Sequence, residues 1–278
     1  MLLLFYIALF ICFVVILLNN SYVIFTGNHL MNLFKNLIIK ILYSTISLIF
    51  VIKLAYSEEN IMKKSNILFD QGEYMEAIEL ASESSIIESY IFRAKTLSIY
   101  GHFLLKEEKA ITVFKEARGY AEHALEMDIY NDDAHVEAAH AMGRYSQLIG
   151  ILSALKQGYA EKIEFHLDEA IKLNPTNVSA QIAKGTWNAE IVNKAGFMAK
   201  FLYGATSDLA REHYKKALNL DSNNIGVIYE AANGLILLDE IEDITYAKKL
   251  LINALGIKPI NHLDKMYLNK VKALIDSL

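Results

Sequence analysis

The sequence predicts an all-α fold, a superhelical solenoid of antiparallel helix pairs that follows an apolar N-terminal segment. Two observations lead to this prediction. One short phrase with the character of a helix end returns four times between residues 124 and 259. In addition, all 32 acidic residues fall within residues 58–278, which separates an apolar leader from a body of ordinary globular composition.

The leader, residues 1–57, contains no acidic residue. Its only basic residues are Lys35, Lys40 and Lys53. Met1–Leu18 is an uninterrupted apolar run that is long enough to cross a bilayer, and a second, less regular run covers residues 37–55. In one interpretation, these runs are membrane helices that form a hairpin or a single anchor.

In a second interpretation, which we favour, translation starts at Met31 and the leader is a signal peptide. The lysines that follow form a cationic start, residues 41–54 an apolar core, and Ala55-Tyr56-Ser57 a small-x-small cleavage site. Lys53, near the end of the apolar core, argues against it. Both interpretations place residues 58–278 outside the cytoplasm, either in the periplasm or anchored to the membrane by an uncleaved leader.

The body carries an internal repeat, which is the first feature to seek when a fold is assigned. Its phrase is Ala-aliphatic-x-aliphatic, followed after one further position by Pro or a substitute. The phrase begins at Ala124, Ala170, Ala217 and Ala254, and the chain's two prolines, Pro175 and Pro259, hold its last place. Alanine lets a neighbouring helix approach, the aliphatic residues face a core, and proline disfavours helical geometry in the residue before it. Residues 131–133, 176–177 and 222–224 then offer N-cap side chains for a following helix.

A second motif gives the repeat its resemblance to a known family. Gly72-Glu73-Tyr74-Met75-Glu76-Ala77-Ile78 resembles the Gly-x-Tyr-x-x-Ala turn of tetratricopeptide repeats, and the phrase above resembles the end of that family's repeat. The resemblance implies repeats near 58–91, 92–130, 131–175, 176–222 and 223–259, and a closing helix from about 261 to 278. The structural positions it implies are Gly72, Tyr74, Ala77, Ala124, Ala170, Pro175, Gly185, Ala217, Ala254 and Pro259.

The central repeats are longer than the family's unit of about 34 residues. Ala124 and Ala170 are 46 positions apart, and Ala170 and Ala217 are 47 apart. Since the extra sequence is apolar and poor in charge, we expect extended first helices that end near Gly158 and Gly204. Such helices would narrow the concave groove of the solenoid or close a pocket in it. The segment from Gly185 to Ala205 also resembles exported bacterial tetratricopeptide proteins related to the regulator-of-microtubule-dynamics group.

Five residues of these long repeats are candidates for binding a partner or ligand. They are Arg144, Tyr145, Trp187, Asn188 and Glu190. A charged Glu190 within an apolar stretch costs free energy unless it is paired or hydrated. A groove with polar groups on its floor would provide such surroundings. In the alternative, which we favour, Trp187 and Tyr145 wedge repeats three and four together, and Glu190 pairs with a neighbour such as Lys184 or Lys194. For residues 196–203 we expect burial in the solenoid, with an exposed patch for a partner or membrane as the alternative.

Composition and motifs exclude several functions. The acidic body has no Lys/Arg cluster, so we expect no nucleic-acid partner. The only cysteine, Cys12, lies in the leader, and the sequence has no motif of a hydrolase, nucleotide-binding loop or zinc protease. His135 and His140 are five positions apart on a predicted helix and do not share a face, so we expect neither a metal site nor a cofactor.

The sequence therefore predicts a non-catalytic scaffold that binds a protein or peptide in its concave groove. In a second hypothesis, the long helices of repeats three and four close a pocket for a small apolar or amphipathic ligand. The protein would then be an accessory of a solute uptake system.

Overall fold

The computed structural model describes residues 28–278, which form helices joined by short turns and contain no strand. The chain divides into two units, residues 1–59 and 60–278. The first described helix, α1, spans Asn28–Gln71. The run Met1–Leu18 and Cys12, on which one interpretation of the leader depends, lie outside the described residues.

Helix α1 has the composition of a membrane span. Among the described residues, its portion Asn36–Gln71 is the one helix long and apolar enough to cross a membrane, with a mean hydropathy of 2.1 over its best window and none of that window buried. A signal sequence near an N-terminus meets the same criteria of helix length and hydropathy. The leader thus contains an apolar helix that could serve as an anchor or as a signal.

Residues 60–278 form five antiparallel helix pairs and a closing helix. The end of α1 pairs with α2, and the later pairs are α3 with α4, α5 with α7, α8 with α10, and α11 with α12, before α13 closes the chain. Their bounds are α2 Tyr74–Ala81, α3 Ile87–Leu104, α4 Glu107–Met127, α5 Asp132–Ile149, α6 Ile151–Lys156, α7 Tyr159–Leu173, α8 Val178–Ala195, α9 Ala199–Tyr203, α10 Ser207–Leu220, α11 Ile225–Leu237, α12 Ile241–Ala254 and α13 His262–Asp276. The all-α solenoid predicted from the repeat is confirmed.

The predicted helix starts are confirmed by their caps. The side-chain oxygens of Asn131, Asn177 and Asn224 accept hydrogen bonds from backbone N–H groups in the first turns of α5, α8 and α11. Each cap satisfies donors that the start of a helix leaves without an intrahelical partner. The three asparagines therefore fix where the first helices of pairs three, four and five begin.

Small residues let the helices approach closely. The four phrase alanines, Ala124, Ala170, Ala217 and Ala254, are fully buried. Tyr214 of α10 is also buried and lies against two glycines, Gly185 of α8 and Gly234 of α11. A Cβ on Gly185 would lie 2.6 Å from Tyr214 Cε1, so only glycine leaves room for the ring between pairs four and five.

The prediction of continuous extended first helices is wrong. Helix α5 ends at Ile149 and α8 at Ala195, and in both places a glycine with positive φ follows, Gly150 at 82° and Gly196 at 54°. This region of φ is open to glycine and strained for other residues. The extra sequence of each long repeat therefore forms a separate short helix, α6 in one and α9 behind a 3-10 turn in the other. The predicted limits hold, since Gly158 and Gly204 also have positive φ at the far ends of these short helices.

The closing helix α13 connects the two ends of the solenoid. Its first residue, His262, lies 3.1 Å from the Tyr74 hydroxyl and covers Gly72 in the turn of the first pair. Its later part packs against the fifth pair, where Val271 is fully buried. Because its middle also contacts the first helices α3 and α11, α13 lies on the inner face of the solenoid.

Candidate functional site

A cavity of about 720 Å³ opens on this inner face. Its walls come from the first helices α3, α5, α8 and α11, from α7, and from the extra segments around α6 and α9. Leu263 and Tyr267 of α13 form one further side. The cavity is therefore built mainly by the surface that a helical solenoid offers to its partners.

Apolar side chains cover most of the cavity wall. They include Ile99, Phe103, Ile163, Leu167, Ile182, Trp187, Ile191, Met198, Leu202, Val227, Leu263 and Tyr267. Phe103 and Tyr267 meet edge to face with their ring centroids 5.0 Å apart, which joins α3 to the closing helix. Such a wall favours an occupant with apolar groups.

Charged groups in the wall are paired across helices. Arg144 Nη2 of α5 donates to Glu230 Oε1 of α11 over 3.2 Å, and the Tyr267 hydroxyl donates to the same oxygen over 3.4 Å. Burial and the charge of Glu230 raise the pKa of Tyr267 far above its ordinary value, so its hydroxyl remains a donor. These bonds tie pairs three and five to the closing helix within the cavity wall.

A second polar group lies between the two long repeats. Glu190 of α8 accepts a hydrogen bond from Gln147 Nε2 over 3.2 Å and forms an ion pair with Lys194. The prediction that a lysine would pair with Glu190 is confirmed at Lys194. Since Gln147, Glu190 and Lys194 line the cavity, the cavity wall is polar on this side.

Two further polar residues of the wall are incompletely satisfied. Glu137 and Ser98 are buried, and neither Glu137 Oε2 nor Ser98 Oγ has a hydrogen-bond partner among the described residues, although His140 Nδ1 lies 3.4 Å from that carboxylate oxygen. Burial, with the charges of Arg144 and Lys270, lowers the pKa of the nearby wall residue His102 to about 3. Thus His102 is uncharged at neutral pH, and the wall offers hydrogen-bonding groups without a local excess of positive charge.

Trp187 is a wall residue that is also a packing residue. It is buried with Ala139, Leu167, Ala199 and Ala205, and its Nε1–H donates to the Ala160 carbonyl over 3.1 Å. It therefore joins pairs three and four while one part of its ring faces the cavity.

The five candidate residues do not form one group. Arg144, Trp187 and Glu190 line the cavity, whereas Tyr145 and Asn188 do not. Tyr145 stacks near Tyr159, with ring centroids 5.5 Å apart. Asn188 is fully buried and bridges backbone groups, donating to the Lys184 carbonyl and accepting from the Thr206 N–H. Tyr145 and Asn188 therefore make structural contacts within the long repeats.

Several wall residues were not identified from the sequence. Glu230, Leu263 and Tyr267 belong to the fifth pair and the closing helix, and nothing in their local pattern sets them apart. His102 lies on the second pair, far in sequence from the long repeats. For the histidines considered as metal ligands, no group of three or more possible ligands occurs in the described part of the chain.

The expectation of burial for residues 196–203 is wrong in large part. Ala199 is buried, but Phe197 and Phe201 are exposed by 92% and 83%, and Leu202 is also exposed. The short helix α9 has too few residues to bury more than one face, and its glycine-flanked position turns the aromatic residues outward.

The fold and the cavity define a class of protein: a tetratricopeptide-like solenoid with a cavity on its inner face. Residues 61–278 match the model of the family described as regulator of microtubule dynamics protein 1-3, and the chain belongs to this family. Both the repeat and its relation to that group, suggested by the sequence, are confirmed.

A solved structure shows the same fold. It is that of a thermophilic tetratricopeptide protein of Thermus thermophilus, with a TM-score of 0.56 and 17% identity, covering 79% of this chain and 100% of that chain. At this identity the likeness concerns the fold alone. No curated protein is similar enough to this chain to count as a match. Folds of this type generally serve protein interaction without catalysis.

Proposed function

We propose that the protein is a non-catalytic scaffold that holds an amphipathic segment of a protein partner in the cavity on its inner face. The observation that carries the proposal is the cavity itself, because the inner helices of the solenoid form an apolar wall that also holds two paired charged groups. A segment with apolar side chains on one side and polar groups on the other matches this distribution.

The closing helix supports the proposal by its own contacts. Helix α13 is an amphipathic segment that binds this inner face, with Leu263 and Met266 against the first pair and Val271 against the fifth. The face therefore has the chemistry needed to bind such a helix. A partner segment would lie beside α13 and use the part of the wall that α13 leaves uncovered.

A second candidate is a small apolar or amphipathic ligand, as expected of an accessory to solute uptake. One observation favours it: Leu263 and Tyr267 of α13 close one side of the cavity. The volume of about 720 Å³ also falls within the usual range of small-molecule sites, about 300–1,000 Å³. An extended peptide needs both ends of a groove to be open, whereas a compact ligand does not.

Photocrosslinking from the cavity wall tests both candidates. Ile191 is a better position than Trp187, since it lines the cavity without the buried hydrogen bond that holds Trp187. With p-benzoylphenylalanine in place of Ile191 in the full chain, we expect a discrete protein adduct in the source cells. The second candidate instead predicts a mass increase of small-molecule size.

The matched control is the same crosslinker at Ile252, an exposed apolar residue on the outer helix α12. Position 252 should give neither product. If positions 191 and 252 give the same adducts, or if neither gives any, the cavity is not the binding site.

We also propose that residues 1–57 act as a leader and that residues 58–278 form a repeat domain that works outside the cytoplasm. The apolar composition of Asn36–Gln71 and the acid-free leader support this division. Both features are typical of export signals and membrane anchors.

Sequencing the N-terminus of the mature protein tests the leader. A start at Glu58 is the result expected for a cleaved signal peptide that begins at Met31. A mature protein that begins at Met1 or Met31 would show an uncleaved leader, and recovery of that protein in the soluble cytoplasmic fraction would contradict export and anchoring alike.

A further inference from the structure

The two extra segments of the long repeats, residues 150–158 and 196–206, expose an unusual apolar surface. Phe197 and Phe201 are exposed by 92% and 83%, and Leu152 by 81%. Leu155 and Leu202 are exposed as well. Single exposed apolar residues are ordinary, but five large ones in two short segments form a surface that indicates a partner.

The two segments belong to one surface because both border the same cavity. Ala154 and Leu155 of α6 line it on one side, and Met198 and Leu202 lie in its wall from the other segment. We call these two segments the rim surface. Leu155 and Leu202 thus belong both to the exposed rim surface and to the cavity wall.

The charge of the rim surface differs from that of the body. Setting aside the three lysines of residues 1–57 leaves 24 of the chain's 27 basic residues in the body, against 32 acidic ones. Residues 150–158 and 196–206, however, contain no acidic residue, and their charged residues are Lys156 and Lys200. Both lysines are exposed, and neither forms an ion pair with a described residue. An acidic protein thus carries its exposed phenylalanines on a surface whose own charge is positive.

From this combination we propose that the rim surface docks on a lipid bilayer that contains anionic lipids. Exposed Phe and Leu side chains insert at the boundary between headgroups and acyl chains, and nearby lysines are attracted to anionic headgroups. The rest of the body, with its excess of acidic residues, is repelled by the same membrane, which orients the domain with its rim surface toward the lipid. The same chain also carries Asn36–Gln71, a helix apolar enough to cross a membrane, so a bilayer is a partner within reach.

The docking differs from the proposed function, because it uses the exposed side chains of the rim surface and needs no occupant in the cavity. Loss of crosslinking at Ile191 would therefore leave it standing. Equally, failure of the docking would leave the cavity proposal unaffected.

Quenching of a fluorescent label by lipids tests the docking at single positions. A measurement at single positions is needed because an uncleaved leader would by itself attach the protein to vesicles. The full chain, with Cys12→Ser, receives Phe201→Cys and a bimane label, and is reconstituted in vesicles of equimolar phosphatidylcholine and phosphatidylglycerol. Phospholipids with a nitroxide on the acyl chain act as quenchers. The matched control is Ile260→Cys, because Ile260 is exposed by 88% and lies outside the rim surface.

The label at position 201 should be quenched several-fold more strongly than the label at position 260. Reversing two charges with Lys156→Glu and Lys200→Glu should remove most of that difference, and pure phosphatidylcholine should do the same. Both label positions are exposed, and equal helical circular dichroism of the labelled proteins checks that they fold.

Equal quenching at positions 201 and 260 overturns the proposal. So does a label at position 201 that lipids do not reach but that becomes shielded from aqueous iodide as protein concentration rises. That second result would assign the rim surface to contact between copies of this chain. Quenching at position 201 that is unchanged by the charge reversals contradicts the role of anionic lipid.

Discussion

Replacing Gly234 by alanine should lower the free energy of unfolding by about 2–3 kcal/mol, the upper part of the range of about 1–3 kcal/mol for overpacking a tight core. A Cβ at this position of α11 would overlap the hydroxyl oxygen and Cζ of Tyr214. The other edge of the ring lies close against Gly185 of α8, where a built Cβ would be only 2.6 Å from Tyr214 Cε1, so the backbone of α8 leaves the ring little room to move away. The added methyl group therefore separates pairs four and five. Urea unfolding of the full chain, followed by Trp187 fluorescence, measures the change.

Gly119→Ala is the matched control for that substitution. Gly119 lies in helix α4, is exposed, and has no heavy atom within 4 Å of the position its Cβ would take. With no contact to lose, the alanine should stabilise the protein by roughly 0.5–1 kcal/mol through helix propensity alone. If Gly234→Ala is as stable as Gly119→Ala, the account of packing around Tyr214 is wrong.

Filling the cavity with Gly143→Phe should reduce the adduct formed at Ile191 by about tenfold or more, which corresponds to about 1.4 kcal/mol of binding free energy. Gly143 lines the cavity from helix α5, and no heavy atom lies within 4 Å of the position its Cβ would take. A phenyl group can therefore enter the space without displacing the wall. Quantitative photocrosslinking at Ile191, with and without the substitution, measures the effect.

Gly119→Phe controls for the added aromatic group, since Gly119 is equally open but does not line the cavity. It should leave the Ile191 adduct unchanged, and both variants should keep the wild-type unfolding midpoint within a small shift. A Gly143→Phe protein that forms the adduct as well as the Gly119→Phe protein would contradict binding in the cavity.

The pairing of helices could be predicted from the sequence because its signals are local. Asn131, Asn177 and Asn224 cap helices through their own side chains. The phrase alanines are spaced by the length of one helix pair, so they mark the positions where helices come together. These signals need no knowledge of distant parts of the chain.

The breaks at Gly150 and Gly196 illustrate what local pattern could not decide. Each glycine sits in an apolar stretch that is otherwise compatible with a continuous helix, and glycine costs only about 1 kcal/mol within a helix. The positive φ that ends the helix depends on where the following segment packs. This dependence on packing also explains why Phe197 and Phe201 are exposed, because a continuous helix would have offered more neighbouring surface against which to bury them.

Only the part of the cavity that lies within the long repeats could be predicted from the sequence. Arg144, Trp187 and Glu190 were selected because they stand out within apolar surroundings, and they line the cavity. Their partners from other pairs, such as Glu230 and Tyr267, are separated from Arg144 by a long stretch of chain. Only the superhelical path of the solenoid and the return of α13 bring them together, and no short motif encodes that path.

The central claim is that the partner's segment occupies the inner-face cavity, and the emission of Trp187 tests it most directly. This residue is the chain's only tryptophan and lies in the cavity wall. The molecule captured at Ile191 is purified and titrated into the wild-type chain and into the Gly143→Phe and Gly119→Phe variants. We predict a saturable change in Trp187 emission for the wild type and Gly119→Phe, and for Gly143→Phe a change that requires about tenfold higher concentration or more. Binding that is equally tight in all three proteins and leaves the emission unchanged would contradict the claim.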